Sequence, residues 1–168
     1  MRHFLRYGVL VVLLTVGLLA GCSSGFNEKT GVYKGNSVVI TFPEGWKKAK
    51  TVPNSAITVS NPEGTAQMTF FVQKVPEDMS LDDFLKLVSS RTSAAGVREL
   101  ERGDIEIDGL HGKWIKRAVQ MGGQNFVSVM YYAMKHNKIY TLMGITTERD
   151  LDRWGPVFDD VAEGMKID

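Results

Sequence analysis

The chain has 168 residues, 43% of them hydrophobic, and its 20 basic and 19 acidic side chains give a net charge of +1. This balance excludes the basic footprint of a nucleic-acid-binding domain, and the length suits one domain with a single core. A single cysteine excludes an internal disulfide framework and a zinc site built on cysteines.

The first 22 residues have the three parts of a secretory signal peptide. Two arginines give a positive start, an apolar run extends from Tyr7 to about Ala20, and small residues precede Cys22. The apolar run is shorter than the roughly 20 residues that a membrane-spanning helix needs. An uncleaved anchor helix or a buried core helix is the alternative, which the lack of any acidic residue before Glu28 disfavours.

The segment Leu19-Ala20-Gly21-Cys22 resembles the lipobox of bacterial lipoproteins. This resemblance implies that the Cys22 thiol carries a diacylglyceryl group and that the chain is cleaved between Gly21 and Cys22. A thiolate is a strong nucleophile, which suits thioether formation, and two or more acyl chains anchor a protein durably. We therefore expect a signal peptide over residues 1–21 and a lipidated, flexible tether over residues 22–31. Cleavage leaves 18 basic and 19 acidic residues, a net charge of about −1.

Residues 32–96 are predicted to form three strands and a helix. Residues 32–42, 57–60 and 66–75 are rich in β-branched and aromatic side chains, and the first segment is broken at Gly35-Asn36. Ser80 and Asp83 have the spacing of a capping box. Four apolar residues then recur at helical spacing up to a C-terminal cap at Gly96: Leu81, Phe84, Leu85 and Val88.

Four further strands are predicted over residues 97–107, 110–121, 124–135 and 138–146. The dipeptides that separate them, Asp108-Gly109, Gly122-Gly123 and His136-Asn137, suit two-residue hairpin turns. This series predicts an antiparallel meander. The segment 124–135 has apolar residues on both faces, which indicates a central strand that is covered on both sides.

The last predicted element is a helix with an apolar stripe. Thr147 and Asp150 mark a start, and apolar residues follow at helical spacing, but Gly155-Pro156 interrupts them. Because proline suits a first helical turn and kinks an interior, we expect a short turn from about Glu148 and the main helix from Pro156 to about Met165.

The order of elements, βββαββββα, predicts an α+β domain over residues 32–168, with an antiparallel sheet of about six or seven strands covered by helices. The chain resembles the PsbP-like fold in the corner Phe42-Pro43-Glu44-Gly45-Trp46, in SLDDFLKLV from Ser80, in the hairpin series and in FDDVAEGMKI from Phe158. The resemblance implies the fold and transfers no catalytic site. Trp46 is expected in the core or at its rim.

The search for chemistry leaves no catalytic or metal motif. Asp104, Glu106 and Asp108 alternate along one strand with His111 beyond the turn, which suits either a weak cation site or a solvated charged edge, and the second is favoured. The sequence has no Gly-x-Ser-x-Gly, His-Glu-x-x-His or P-loop motif. Six aromatic residues suit a ligand groove or, as we favour, the core: Trp46, Trp114, Trp154, Tyr131, Tyr132 and Tyr140.

These features predict a lipid-anchored cell-envelope protein that acts as a non-catalytic binding or assembly module, with the membrane and an envelope protein as partners and no cofactor. A carrier or sensor of a small apolar ligand is the alternative, and a hydrolase is a third. Ser23 lacks the aspartate that often retains lipoproteins at an inner membrane. We therefore expect the periplasmic face of an outer membrane, or the outer face of the cytoplasmic membrane in a cell with one membrane.

Overall fold

The computed structural model describes residues 25–94 and 97–168. The predicted signal peptide, the lipobox with Cys22 and the predicted cap at Gly96 lie outside these residues. Within the two described segments, no helix is long and apolar enough to cross a membrane.

Seven strands form an antiparallel sheet in the order β4-β5-β6-β10-β9-β8-β7. The meander predicted in the second half of the chain forms one side of this sheet, and β6 pairs with β10 to join the earlier strands to it. The strands are β4 (Lys47–Lys48), β5 (Ile57–Ser60), β6 (Ala66–Lys74), β7 (Arg98–Ile107), β8 (Leu110–Met121), β9 (Gln124–Lys135) and β10 (Lys138–Thr147).

A second, smaller antiparallel sheet has the order β1-β2-β3-β11. It consists of β1 (Gly25–Asn27), β2 (Val32–Gly35), β3 (Val38–Thr41) and β11 (Lys166–Ile167). The small sheet packs on one face of the large sheet, where the ring of Tyr33 lies 6.1 Å from that of Phe70. The predicted first strand is therefore a hairpin that belongs to a separate sheet.

Positive φ angles at two consecutive residues close the hairpins, as type I′ turns require. The pairs are Asn36 and Ser37, Asp108 and Gly109, Gly122 and Gly123, and His136 and Asn137. The three turns predicted in the meander are confirmed. The turn predicted at Gly35-Asn36 lies one residue later, because Gly35 is the last residue of β2.

Helix α1 (Leu81–Ala94) begins at the predicted cap, where the Ser80 hydroxyl accepts a hydrogen bond from the Asp83 backbone N–H over 3.1 Å. Helix α2 (Leu151–Glu163) follows a short 3₁₀ turn, Glu148–Asp150. The prediction that its main part starts at Pro156 is wrong. Pro156 lies inside α2, and burial of Trp154 before it and Phe158 after it offsets the missing hydrogen bond.

The two faces of the large sheet have separate cores. The small sheet and α2 cover one face, and α1 covers the other. Neighbouring residues of β9 face opposite ways: Tyr131 belongs to the first core and Tyr132 to the second. This arrangement confirms β9 as a central strand that is covered on both sides.

Part of the predicted flexible tether is folded. Residues 25–27 pair with β2, and the ring of Phe26 meets that of Phe42 edge-to-face at 5.8 Å. The sequence 23–31 is polar apart from Phe26, and burial of this one aromatic residue explains why the segment lies against the domain.

Candidate functional site: an acidic groove beside helix α2

A groove of about 740 Å³ runs between α2 and the end of the large sheet formed by β7, β8 and β9. Its apolar lining comes from both sides, and six acidic side chains line it together with one lysine. Its lining includes Glu101, Trp114, Lys116, Tyr131, Asp152 and Asp159.

Trp114 supplies the aromatic surface of this acidic groove. It pairs across the strands with Gly103, and a Cβ atom at Gly103 would lie 2.7 Å from the indole nitrogen of Trp114. The indole therefore rests on the bare backbone of β7, which only glycine permits. Trp114 is half-buried, unlike the fully buried Trp46, so one part of its ring is available to a ligand.

Lys116 shows how a cation is held in the groove. Its ammonium donates a hydrogen bond to the Glu101 carboxylate over 2.8 Å and lies 5.5 Å from the centre of the Trp114 ring. A cation over an aromatic face next to a carboxylate combines cation–π and ionic attraction. The exposed carboxylates of Asp152 and Glu163, which form no ion pair among the described residues, can attract further positive charge in the same way.

The wall of the groove is an acidic stripe on α2. Asp152, Asp159 and Glu163 occupy positions i, i+7 and i+11 and therefore share one face of the helix. Between them, Gly155 and Pro156 leave a notch without long side chains. Among the described residues, no ion pair includes any of the three carboxylates.

Tyr131 joins the floor of the groove to this wall. Its hydroxyl donates a hydrogen bond to the Asp159 carboxylate over 2.6 Å, and its side chain is fully buried. Burial raises the pKa of Tyr131 far above its ordinary value, and the hydrogen bond to Asp159 raises this pKa further. Tyr131 is therefore a neutral donor that fixes α2 against β9.

Comparison with solved structures assigns the fold. The solution structure of cyanobacterial PsbP (CyanoP) from Synechocystis sp. PCC 6803 has a TM-score of 0.65 and 15% identity, and the match covers 90% of this chain and 100% of that one. LpqN, involved in cell envelope biogenesis of Mycobacterium tuberculosis, has a TM-score of 0.60 and 8% identity, over 77% of this chain and 82% of that one. The domain has the PsbP-like fold. No protein-family model and no curated protein matches the sequence.

The PsbP-like fold also includes a more distant structure, the yeast Ran-binding protein Mog1p, with a TM-score of 0.50 and 10% identity over 78% of this chain and 90% of that one. The predicted α+β class and the resemblance of the domain to PsbP-like proteins are thus confirmed. Identities this low assign the fold alone. What the domain binds is determined by its own residues.

In this PsbP-like domain, Asp104 and Asp108, two residues of the charged edge considered as a cation site, have different partners. Asp104 forms an ion pair with Lys113, which holds the pKa of Asp104 below its ordinary value, and His111 lies 3.6 Å from the same carboxylate. Asp108 instead accepts a hydrogen bond from the Ile167 backbone N–H over 2.9 Å, which lowers the pKa of Asp108. The described residues contain no group of three His, Cys, Asp or Glu side chains that could hold a metal ion.

Of the six aromatic residues considered for a groove, five belong to the core, and one of these five, Tyr131, also lines the groove together with the half-buried Trp114. Trp46 packs edge-to-face on Trp154 at 5.5 Å. The acidic stripe of α2 was not predicted from the sequence. The spacing of Asp152, Asp159 and Glu163 is its signal in the sequence, but the expected helix start at Pro156 placed Asp152 outside the helix.

One buried charge has no groove function. Arg117 is 2% exposed and lies between the large sheet and α1, where its guanidinium contacts the Tyr132 hydroxyl at 3.4 Å and the Met130 sulfur at 3.1 Å. Its second terminal nitrogen has no hydrogen-bond partner among the described residues. The stem of Arg117 covers apolar surface, but burial of its guanidinium leaves the positive charge incompletely hydrogen-bonded.

Proposed function

We propose that this protein is a lipid-anchored cell-envelope protein whose PsbP-like domain is a non-catalytic binding module. The acidic groove is the surface that binds a protein partner. The observation that carries this proposal is the combination of a positioned, half-buried Trp114 with carboxylates that have no ion-pair partner among the described residues.

The lining of the groove supports binding of a polar, positively charged partner surface. Asp152 and Glu163 are exposed, and their charges attract basic side chains at distances up to a Debye length, about 8–10 Å at physiological salt. Trp114 adds a flat surface of the kind that is enriched at the centre of protein interfaces. An apolar small molecule would gain no attraction from these carboxylates, so the groove favours the binding module over the carrier.

A hydrolase of the serine, threonine or cysteine type receives no support from the groove. No serine, threonine, cysteine or histidine is among the described residues that line it, so the groove offers neither a hydroxyl or thiol nucleophile of that kind nor a histidine base. Binding through charge and aromatic contact requires only the side chains that are present.

The envelope location is supported by the lipobox and by the fold. Leu19-Ala20-Gly21-Cys22 supplies the lipid attachment site, and LpqN, a protein of cell envelope biogenesis, has the same fold. The short chain between Cys22 and the first described residue, Gly25, agrees with a domain held close to a membrane.

Site-specific photocrosslinking in intact cells tests the binding function. A photoreactive phenylalanine replaces Asp152 in the groove wall or, as the matched control, Asp160 on the same helix outside the groove. We expect a discrete crosslinked partner from position 152 that is lost in the Trp114→Ala variant, and none from position 160. Identical products from both positions, or a product that persists without Trp114, would contradict a partner-binding groove.

A further inference from the structure

We propose that the edge of the domain formed by β1, β2 and β4 docks on an anionic membrane surface through Lys34 and Lys48. The acidic groove then faces away from that surface. This inference rests on the proposed lipid anchor at Cys22 and adds to it a fixed orientation of the domain.

Only a short length of chain separates the proposed lipid from the fold. Three residue steps separate Cys22 from Gly25, where β1 begins. An extended chain spans at most about 3.6 Å per residue, so Gly25 lies within about 11 Å of the acylated cysteine. This distance is close to the Debye length of about 8–10 Å at physiological salt, so charges beside Gly25 interact with the headgroups.

Two lysines place positive charge beside Gly25. Lys34 is its cross-strand partner, and the two residues line one surface hollow of about 520 Å³. Lys48 lines a second hollow, of about 360 Å³, that also includes Gly25. Both lysines are exposed, and neither forms an ion pair among the described residues.

Neighbouring residues strengthen the positive charge of this edge. Lys47 and Lys50 flank Lys48 in the chain, and Lys29 lies in the turn between β1 and β2; all three are exposed. Glu28 is the nearby acidic residue, and its carboxylate accepts a hydrogen bond from the Lys48 backbone N–H over 3.3 Å. Basic residues next to a membrane anchor are typical of binding to anionic lipid headgroups.

The acidic groove lies far from these lysines. Lys48 and Glu101 stand at opposite ends of one cross-strand row of the large sheet. Six strand spacings of about 4.8 Å separate them, roughly 29 Å. The row is Lys48, Val59, Met68, Gly144, Val129, Lys116 and Glu101. An anionic surface therefore attracts one end of the domain and repels the other.

The test uses the mature lipidated protein, reconstituted from detergent into vesicles of phosphatidylcholine with or without 30% phosphatidylglycerol. Because acylation occupies Cys22, the only cysteine, an introduced cysteine can be labelled alone. A fluorophore is placed at Thr30→Cys, beside Lys34, or at Glu106→Cys in β7 at the other end of the sheet. Quenching by headgroup-spin-labelled lipid reports proximity to the membrane.

We expect strong quenching at position 30 in the anionic vesicles, much less in the neutral vesicles, and little at position 106 in either. The Lys34→Gln/Lys48→Gln double variant should lower the ratio of docked to undocked protein about fivefold for each lysine. The matched Arg91→Gln/Arg98→Gln variant removes the same charge from α1 and β7 and should retain the docking.

The two proposals fail in different ways. If the reconstituted protein is not recovered with vesicles of either composition, the lipid anchor is wrong and the docking fails with it. If the protein is recovered but quenching at position 30 ignores lipid charge or the lysine substitutions, the docking is overturned and the anchor stands.

Discussion

The ring of Phe158 in α2 packs directly on the backbone of Gly144 in β10. Both residues are buried, and a Cβ atom at position 144 would overlap the ring. The contact brings α2 against the sheet, and α2 is the wall of the acidic groove. Gly144→Ala should therefore lower the free energy of unfolding by about 1–3 kcal/mol through overpacking, measured by urea denaturation.

Gly155→Ala is the matched control for Gly144→Ala. A Cβ atom at Gly155 would meet the Leu151 side chain at an ordinary 3.7 Å. Because alanine favours a helix interior over glycine by about 1 kcal/mol, this variant should be as stable as the parent protein or more so. Equal destabilisation by both substitutions would contradict the close packing of Phe158 on Gly144.

Gly103 is predicted to fix the position of Trp114. In the Gly103→Ala variant the indole ring has to move off β7, so we expect lower stability and a shifted tryptophan emission spectrum. In a double-mutant cycle, Trp114→Phe should reduce the stability cost of Gly103→Ala, because a smaller ring leaves room for the methyl group. Additive costs would show that the two residues do not interact.

The raised pKa of Tyr131 predicts a loss of stability in alkali. Burial and the hydrogen bond to Asp159 raise this pKa above the ordinary value of 10.0, so the folded state keeps a proton that the unfolded chain releases. The stability that Tyr131 contributes should therefore be constant below about pH 10 and fall at higher pH, by up to about 1.4 kcal/mol per pH unit for one group.

Tyr131→Phe should make this alkaline slope shallower without abolishing it, since burial also raises the pKa of Tyr132 and of Tyr140. Denaturation of both proteins between pH 8 and 11 measures the difference. An unchanged slope in Tyr131→Phe would show that Tyr131 titrates normally in the folded protein.

Asp108 is expected to hold the C-terminal strand β11. Its carboxylate accepts hydrogen bonds from the Ile167 backbone N–H and, over 3.1 Å, from Lys166. Asp108→Ala should speed amide hydrogen exchange at Ile167, whereas Asp104→Ala should not. The lowered pKa of Asp108 means that the protection is present above the ordinary value of 3.8 and is lost as pH falls through the folded value. Equal exchange in the two variants would contradict this role.

Local rules predicted the meander of the large sheet almost to the residue. Turn dipeptides with positive φ fix where each strand ends, and β8 and β9 have the predicted bounds, residues 110–121 and 124–135. The small sheet was not predicted as a separate sheet. Its strands β1 and β11 have three and two residues, too few to show any periodicity, and they exist because Phe26 and Ile167 pack on a core assembled from distant parts of the chain.

The candidate groove was less predictable than the fold. Trp114, Tyr131 and the acidic residues of α2 lie in different elements, and only the packing of Phe158 on Gly144 brings α2 beside β7–β9. The proline rule also misplaced the start of α2, because burial of Trp154 outweighs one lost hydrogen bond near the first turn. The free energies of these packing contacts depend on residues far apart in the chain, so no local sequence pattern predicts them.

Anchoring of this domain to a membrane through Cys22 can be tested by labelling the Cys22→Ser variant with radioactive palmitate. The parent protein and the matched Ser24→Ala control should incorporate the label and sediment with membranes, while Cys22→Ser should do neither. Labelling or membrane association that persists in Cys22→Ser would contradict the account.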